Sequence, residues 1–281
     1  MRLSQQKCYF LRLWPARSGA MVAALLMTLA WAGCGNTFRP VEIPLNPPGQ
    51  NPQQQNSVVV LSRSEDPANP GSCVNPNLTA PCPPGATSQL DVSGDSNIAN
   101  VYVGLAPAFV MYSGDIFVAN QAPPVAGVQQ FGTVSEFLPS TAGIVPTTFN
   151  LSISPDAQPV FMARAGFDMY VAEYGLDMVA VLDTETGNVP AVVAVGSNPV
   201  ALAATSDASK IYVVNQADNT ISVISTLDNT VSNTISLAGS GTDPVYAVAN
   251  PSATEMYVLN SGTPNVLLMN TFNDQIIGTL A

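Results

Sequence analysis

Lys210-Ile-Tyr-Val-Val-Asn215, Asp168-Met-Tyr-Val-Ala-Glu173 and Glu255-Met-Tyr-Val-Leu-Asn260 are three versions of one hexapeptide. A degenerate fourth version is Asp115-Ile-Phe-Val-Ala-Asn120. Measured between their aromatics, Phe117, Tyr170, Tyr212 and Tyr257 lie 53, 42 and 45 residues apart. Each copy has the β-branched and aromatic composition of a strand. A recurrence this long cannot be one strand alone, so each hexapeptide must belong to a larger repeated unit.

The unit around Lys210 is the easiest to read. Pro199-Val-Ala-Leu-Ala-Ala204 is a short, wholly apolar run suited to a buried inner strand, and Ser206–Ser209 is a turn. The hexapeptide is the second strand, and Thr220-Ile-Ser-Val-Ile-Ser225 is the third. Thr230–Leu237 alternates polar and apolar residues, as a half-exposed outer strand should. The same four steps recur over 107–151, 159–195 and 244–280, with an insertion at Gln121–Phe131 in the first of these. A partial set spans 57–103: Ser57–Ser62, Thr87–Val92 and Asn97–Val103, without an inner apolar strand. Four-stranded units repeating every 40–45 residues predict an all-β fold, a β-propeller of antiparallel four-stranded blades. Four full modules and three strands leave an open arc with uncovered apolar faces. Either the ring is tiny and imperfectly closed, or further blades follow residue 281; the second is the preferred expectation.

The 281-residue chain is 47% hydrophobic and only 10% charged, which suits stacked sheets. Its charge is unevenly placed. Arg2, Lys7, Arg12 and Arg17 precede the first long apolar run, and the remainder holds four basic residues against all 19 acids. Such a surface repels phosphate backbones, so nucleic acid is not an expected partner.

The basic start is followed by the uncharged run Gly19–Ala32. Fourteen helical residues reach roughly 21 Å against a hydrocarbon core of roughly 30 Å, so residues 1–33 read as a signal peptide. Leu29-Ala-Trp-Ala-Gly-Cys34 resembles a lipobox, with Trp31 as its departure, and makes Cys34 the expected lipidation site. The competing reading is ordinary cleavage after Ala30-Trp31-Ala32. Residues 34–56, rich in Pro, Gln and Asn, carry too little apolar area to fold and read as a tether. Cys73 and Cys82, the remaining pair of an exported chain, are expected to form a disulfide.

Tyr-Val-x-Asn, then Val-x-Val-Ile-(Asp/Ser)-Thr about ten residues on, then an alternating strand and Gly-x-x-Pro-Val, resembles the YVTN β-propeller repeat. Lys210–Ala249 carries nearly all of it; Asp168–Ala204 carries most, including Val181-Leu-Asp183-Thr184 and Gly196-Ser-Asn-Pro199-Val200. The resemblance implies a seven-bladed ring in exported, often surface-attached proteins. Relatives of that fold include lactonases and quinone-dependent dehydrogenases. The repeat residues themselves (Phe117, Asn120, Tyr170, Pro199, Tyr212, Asn215, Pro244, Tyr257 and Asn260) are scaffold, and bring over no catalytic role.

The chain has no histidine, which excludes Ser-His-Asp and Cys-His catalysis, imidazole metal sites and histidine-ligated haem. It has neither a P-loop nor a dinucleotide-binding glycine motif. Asp183-Thr-Glu-Thr-Gly187 starts like a calcium loop, but Ala194 stands where the twelfth-position Glu is needed, so it reads as a turn. Asp156, Asp207 and Asp243 fall in inter-strand turns. Asn120, Asn215, Asn260 and Glu173 share one repeat position and are expected in similar turns on one face. Glu173 and Tyr174 break the Asn pattern and are the candidate binding spot; no metal, cofactor or catalytic residue is expected. The expected function is an exported, lipid-anchored, non-enzymatic binding or scaffolding module of the cell envelope. Its partners would be the membrane, through the anchor, and a protein, peptide or glycan. The alternatives are a lactonase- or quinone-dehydrogenase-type enzyme and a truncated fragment without activity of its own.

Overall fold

A computed structural model describes residues 57–62, 85–91, 96–122, 131–139, 147–150, 156–251 and 254–280. The signal peptide, the tether, Cys34, Cys73 and Cys82 lie outside the described residues, as does most of the Gln121–Phe131 insertion. Nineteen strands form five antiparallel sheets, with no helix among the described residues. The first sheet holds β1 (Ser57–Ser62), β2 (Ala86–Asp91) and β3 (Ser96–Tyr102). The second holds β4 (Pro107–Ser113), β5 (Asp115–Asn120), β6 (Thr133–Phe137) and β7 (Thr147–Asn150). The third holds β8 (Pro159–Ala165), β9 (Asp168–Glu173), β10 (Met178–Asp183) and β11 (Ala191–Ala194). The fourth holds β12 (Pro199–Ala204), β13 (Lys210–Asn215), β14 (Thr220–Ser225) and β15 (Thr230–Ser236). The fifth holds β16 (Pro244–Ala249), β17 (Glu255–Asn260), β18 (Asn265–Asn270) and β19 (Gln275–Leu280).

Each complete sheet is an up-and-down meander, and its first strand packs beside the first strand of the next sheet. Every inner strand starts with proline and is bulged directly after it, between Pro107 and Phe109, Pro159 and Phe161, Pro199 and Ala201, and Pro244 and Tyr246. Proline has no N–H for the ladder, so the strand entrance is where a missing bond is tolerated, and the bulge bends the chain there. The residue before each proline is left-handed: Ala106 (φ 48°), Gln158 (50°), Asn198 (54°) and Asp243 (55°).

The first sheet corresponds to the second, third and fourth strands of a blade. Its β2–β3 pair shifts register at Gln89/Leu90, as β14–β15 does at Val223/Ile224 and β18–β19 at Leu268/Met269. Val103 N donates to Gly85 O as Leu237 N does to Asn219 O, just ahead of the third strand. No inner strand accompanies this sheet among the described residues, as the sequence pattern predicts.

The core lies between the sheets, in four clusters. Val59, Val101 and Val103 meet Val110, Ile116 and Val118 between the first two sheets. Phe117, Tyr170 and Tyr212 each lie buried against the sheet that follows their own. The second strands β9 and β13 are buried on both faces and so are apolar without alternation, whereas β15 alternates as the outer strand. β17 differs, because its alternate residues are partly open and Leu259 is exposed. The fifth sheet has a described neighbour on one face only. Each fully buried Val, Leu or Ile contributes about 1.5–3 kcal/mol, so the interfaces carry the stability.

Candidate functional site

Two side-chain positions of the repeat organise its polar chemistry. The first is the hexapeptide tyrosine. Tyr170 Oη donates to Asn229 Oδ1 at 2.6 Å, reaching the third-to-fourth-strand turn of the next sheet. Tyr212 Oη donates to Asp274 Oδ1 in the equivalent turn one sheet on, and to Thr271 O at 3.2 Å. Asn229 and Asp274 are both left-handed, with φ of 55° and 56°. Lys210 Nζ reinforces the second contact at 2.8 Å from Asp274 Oδ1 and 2.9 Å from Thr271 O. Burial, helped by the Asp168 charge, pushes the Tyr170 phenol up to about 12. Burial and the Asp274 hydrogen bond raise Tyr212 further, so both remain donors.

Tyr257 holds the same position on the last sheet, and its hydroxyl reaches Glu255 Oε2 on its own strand at 3.4 Å. It belongs to a cross-strand row Val248–Tyr257–Leu268, beside a second row Tyr246–Leu259–Val266. These rows are equivalent to the face of the fourth sheet that the fifth sheet covers, where Tyr212 and Val214 are buried. Here Tyr246, Val248 and Leu259 are exposed.

The second position is the asparagine that ends the hexapeptide. Asn120 Nδ2 donates to Thr133 Oγ1 (3.1 Å) and Ser135 Oγ (2.9 Å), and Asn215 Nδ2 donates to Thr220 Oγ1 (3.0 Å) and Ser222 Oγ (2.9 Å). Asn260 Nδ2 donates to Asn265 Oδ1 at 2.8 Å. The expectation that these residues sit in turns is corrected: each is the last residue of a second strand and is buried. The chain makes room with glycine three residues before each proline. A Cβ on Gly104, Gly196 or Gly241 would come within 2.7, 2.6 or 2.3 Å of the amide group.

The third sheet replaces this whole arrangement. Glu173 stands for Asn, Met178 and Ala180 stand for the two hydroxyl residues, and Asp156 stands for the glycine. Glu173 is fully buried and neither of its carboxyl oxygens has a hydrogen-bond partner. Burial pushes its carboxyl up to about 7. Tyr174, its expected companion, is half-buried, and its N–H donates to Gln158 O at 3.1 Å.

Two features lie outside the Tyr and Asn positions of the repeat. Burial and a hydrogen bond to Asp115 push Glu136 up to about 7, while the Arg164 charge works against the shift. Arg164 Nη1 itself donates to Ser113 O (3.0 Å) and Oγ (3.2 Å) across the second interface. The second feature is aromatic: Phe161 lies 4.1 Å from Phe109 and 5.8 Å from Tyr246 between ring centroids. All three stand two places after the inner-strand proline, a shared spacing visible in the sequence once the blades are aligned. Asp183 forms the expected turn, accepting from the N–H groups of Glu185 (2.9 Å) and Thr186 (3.1 Å). Asp207 likewise accepts from Ser209 N at 3.1 Å. Asp243 instead braces neighbouring turns through Gln216 and Ser261. Among the described residues no group of three or more His, Cys, Asp or Glu could hold a metal ion.

No protein-family model matches the chain, and no curated protein matches it either. Among solved structures, a functionally unknown protein from Desulfotomaculum acetoxidans DSM 771 is similar over 80% of this chain and 66% of that one. The TM-score is 0.58 at 14% identity. The likeness is one of fold. Hydrazine synthase from Kuenenia stuttgartiensis is similar over 44% of this chain and 35% of that one, with a TM-score of 0.41 at 22% identity. The chain thus spans just under two thirds of the first protein and about a third of the second. With its repeated antiparallel sheets, the architecture is β-propeller-like.

Proposed function

We propose that this chain is a YVTN-type propeller, exported and lipid-anchored through Cys34, that works as a non-enzymatic binding or scaffolding module of the cell envelope. The observation that carries the reading is the use made of the repeat's polar side chains. Tyr170 and Tyr212 fasten one sheet to the next, and Asn120, Asn215 and Asn260 fasten second strands to third strands. They are framework, which leaves the turns at the ends of the strands as the surface for a partner. In a ring of more blades, a further sheet would cover the Tyr257 face of the fifth sheet.

The test has two arms. Palmitate labelling of the expressed chain should appear in the wild type and vanish in Cys34→Ala; wild-type protein without label removes the anchor. Elemental analysis and quinone difference spectra of the purified protein should give no stoichiometric cofactor. A metal or quinone bound one to one overturns the non-enzymatic reading.

A further inference from the structure

The large apolar side chains that stand furthest into solvent on the complete blades share one end of the sheet stack. Leu227 is 94% exposed, Phe272 93%, Phe167 74% and Leu138 59%. Each comes from a different sheet: Leu138 follows β6, Phe167 joins β8 to β9, Leu227 joins β14 to β15, and Phe272 joins β18 to β19. First-to-second and third-to-fourth reversals of a meander lie at the same end, so the four blades each present one apolar tip on one surface. Singly exposed apolar residues are ordinary, but one per blade on a shared end is a patterned display.

The tips are held in place. Tyr170 binds Asn229, two residues after Leu227, and Tyr212 binds Asp274, two residues after Phe272. Thr226 Oγ1 adds a bond to Ala208 O at 2.7 Å, and Phe272 N donates to Asn270 Oδ1 at 2.9 Å. Arg164 Nε holds Gly166 O, beside Phe167, at 3.1 Å. The interblade tyrosines therefore set the turns that carry two of the tips. A preordered surface loses little entropy when it binds.

The charge around the tips selects the partner. Asp183, Asp207 and Asp228 lie at this end, their carboxyls held below the usual range by hydrogen bonds from Thr186, Thr205 and Ser225 respectively. Glu185 and Glu255 lie there too. Arg164 and Lys210 are the cations among the described residues, and both are engaged, Lys210 with Asp274. We propose that this end is a docking surface for a protein segment in which arginine or lysine alternates with apolar residues. The tips take the apolar side chains, Phe167 and Phe272 also offer ring faces to cations, and the carboxylates pair with the basic residues. The inference rests on the binding-module reading and names the partner's chemistry.

The experiment uses the full chain and a fluorescent peptide of alternating arginine and leucine, with a glutamate–leucine peptide as control. Saturable binding of the first, weakening with salt, is expected, together with at least a roughly tenfold loss in Leu227→Ser/Phe272→Ser. Both positions are exposed, and an unchanged circular dichroism spectrum checks the variant's fold. Unaltered affinity of the variant, equal binding of the glutamate peptide, no saturable binding, or uptake by phosphatidylcholine vesicles in place of the peptide would each overturn the proposal. A photo-crosslinking residue at Leu227 or at exposed Ala217, on the opposite end, separates the two readings in cells. Adducts at Leu227 to a basic, apolar segment support the surface. Adducts at Ala217 alone overturn it and keep the binding module, and adducts at neither position remove the module itself.

Discussion

Replacing Glu173 by Gln takes one buried, unpartnered carboxyl out of the third sheet at almost constant shape. The group's ordinary value is 4.5, and burial moves it to about 7 in the folded chain. Between those values the folded protein keeps a proton that the unfolded chain releases. Its stabilising effect is therefore complete below about 4.5 and declines as pH rises to about 7, beyond which both states are ionised. A displacement of about 2.5 pK units corresponds to about 3 kcal/mol. The Gln side chain imitates the protonated acid, so wild type and Glu173→Gln should have similar stability near pH 5. Near pH 8 the variant should be more stable by about 3 kcal/mol, because it has no charge to bury. Urea unfolding followed by tyrosine fluorescence at both pH values reads the two differences. Subtracting them cancels the buried amide's own unmet hydrogen bonds, and also Glu136, which titrates identically in both proteins. A difference that is the same at both pH values would refute the reasoning.

Converting the third sheet to the pattern of its neighbours, with Glu173→Asn, Met178→Thr and Ala180→Ser together in an Asp156→Gly background, should raise the urea midpoint above that of Glu173→Asn alone in the same background, by about 1 kcal/mol for the hydrogen bonds gained. Tyr212→Phe should cost about 1–2 kcal/mol in the same assay, by stripping Asp274 of a buried donor, whereas Tyr257→Phe should change stability by only a few tenths. Gly241→Ala would bring a Cβ within 2.3 Å of Asn260 Nδ2, and should lower the midpoint by about 1–3 kcal/mol.

The strands were legible because their burial is periodic. Ile211–Val214 is buried on both faces and therefore without a charged residue, while Thr230–Ser236 is covered on one face and therefore alternates. The aromatic spacing set the blade length, and the lack of an inner apolar strand in the 57–103 set anticipated the three-stranded first sheet. The polar details were less legible, because they depend on neighbours remote in sequence. Asn215 finds its partners five and seven residues away, but Tyr170 finds Asn229 at a separation of 59. Aligning the blades shows that Tyr and Asn recur, yet it does not show which face each one takes. That is why the asparagines were expected in turns when they are buried strand ends. Glu173 stood out by identity alone; that Met178 and Ala180 remove its donors became apparent only with the β9–β10 register.

The repeat has a direction, and this ties the tyrosine to the surface chemistry. Phe117, Tyr170 and Tyr212 each face the following sheet, and the Tyr170 and Tyr212 hydroxyls reach the far turn of that sheet. The turn is then fixed by its neighbour as well as by its own blade. Leu227 and Phe272 owe their positions in part to tyrosines 57 and 60 residues upstream. Phe117 lacks the hydroxyl, and the third-sheet turn at Asp183 is closed by its own carboxylate instead, with Glu185 at the position equivalent to Leu227. At Leu227 and Phe272 the apolar tip thus accompanies a tyrosine in the preceding blade, whereas Leu138 follows a sheet with Val59 at that position. The same bond that locks two sheets together makes an otherwise costly exposed side chain rigid enough to bind.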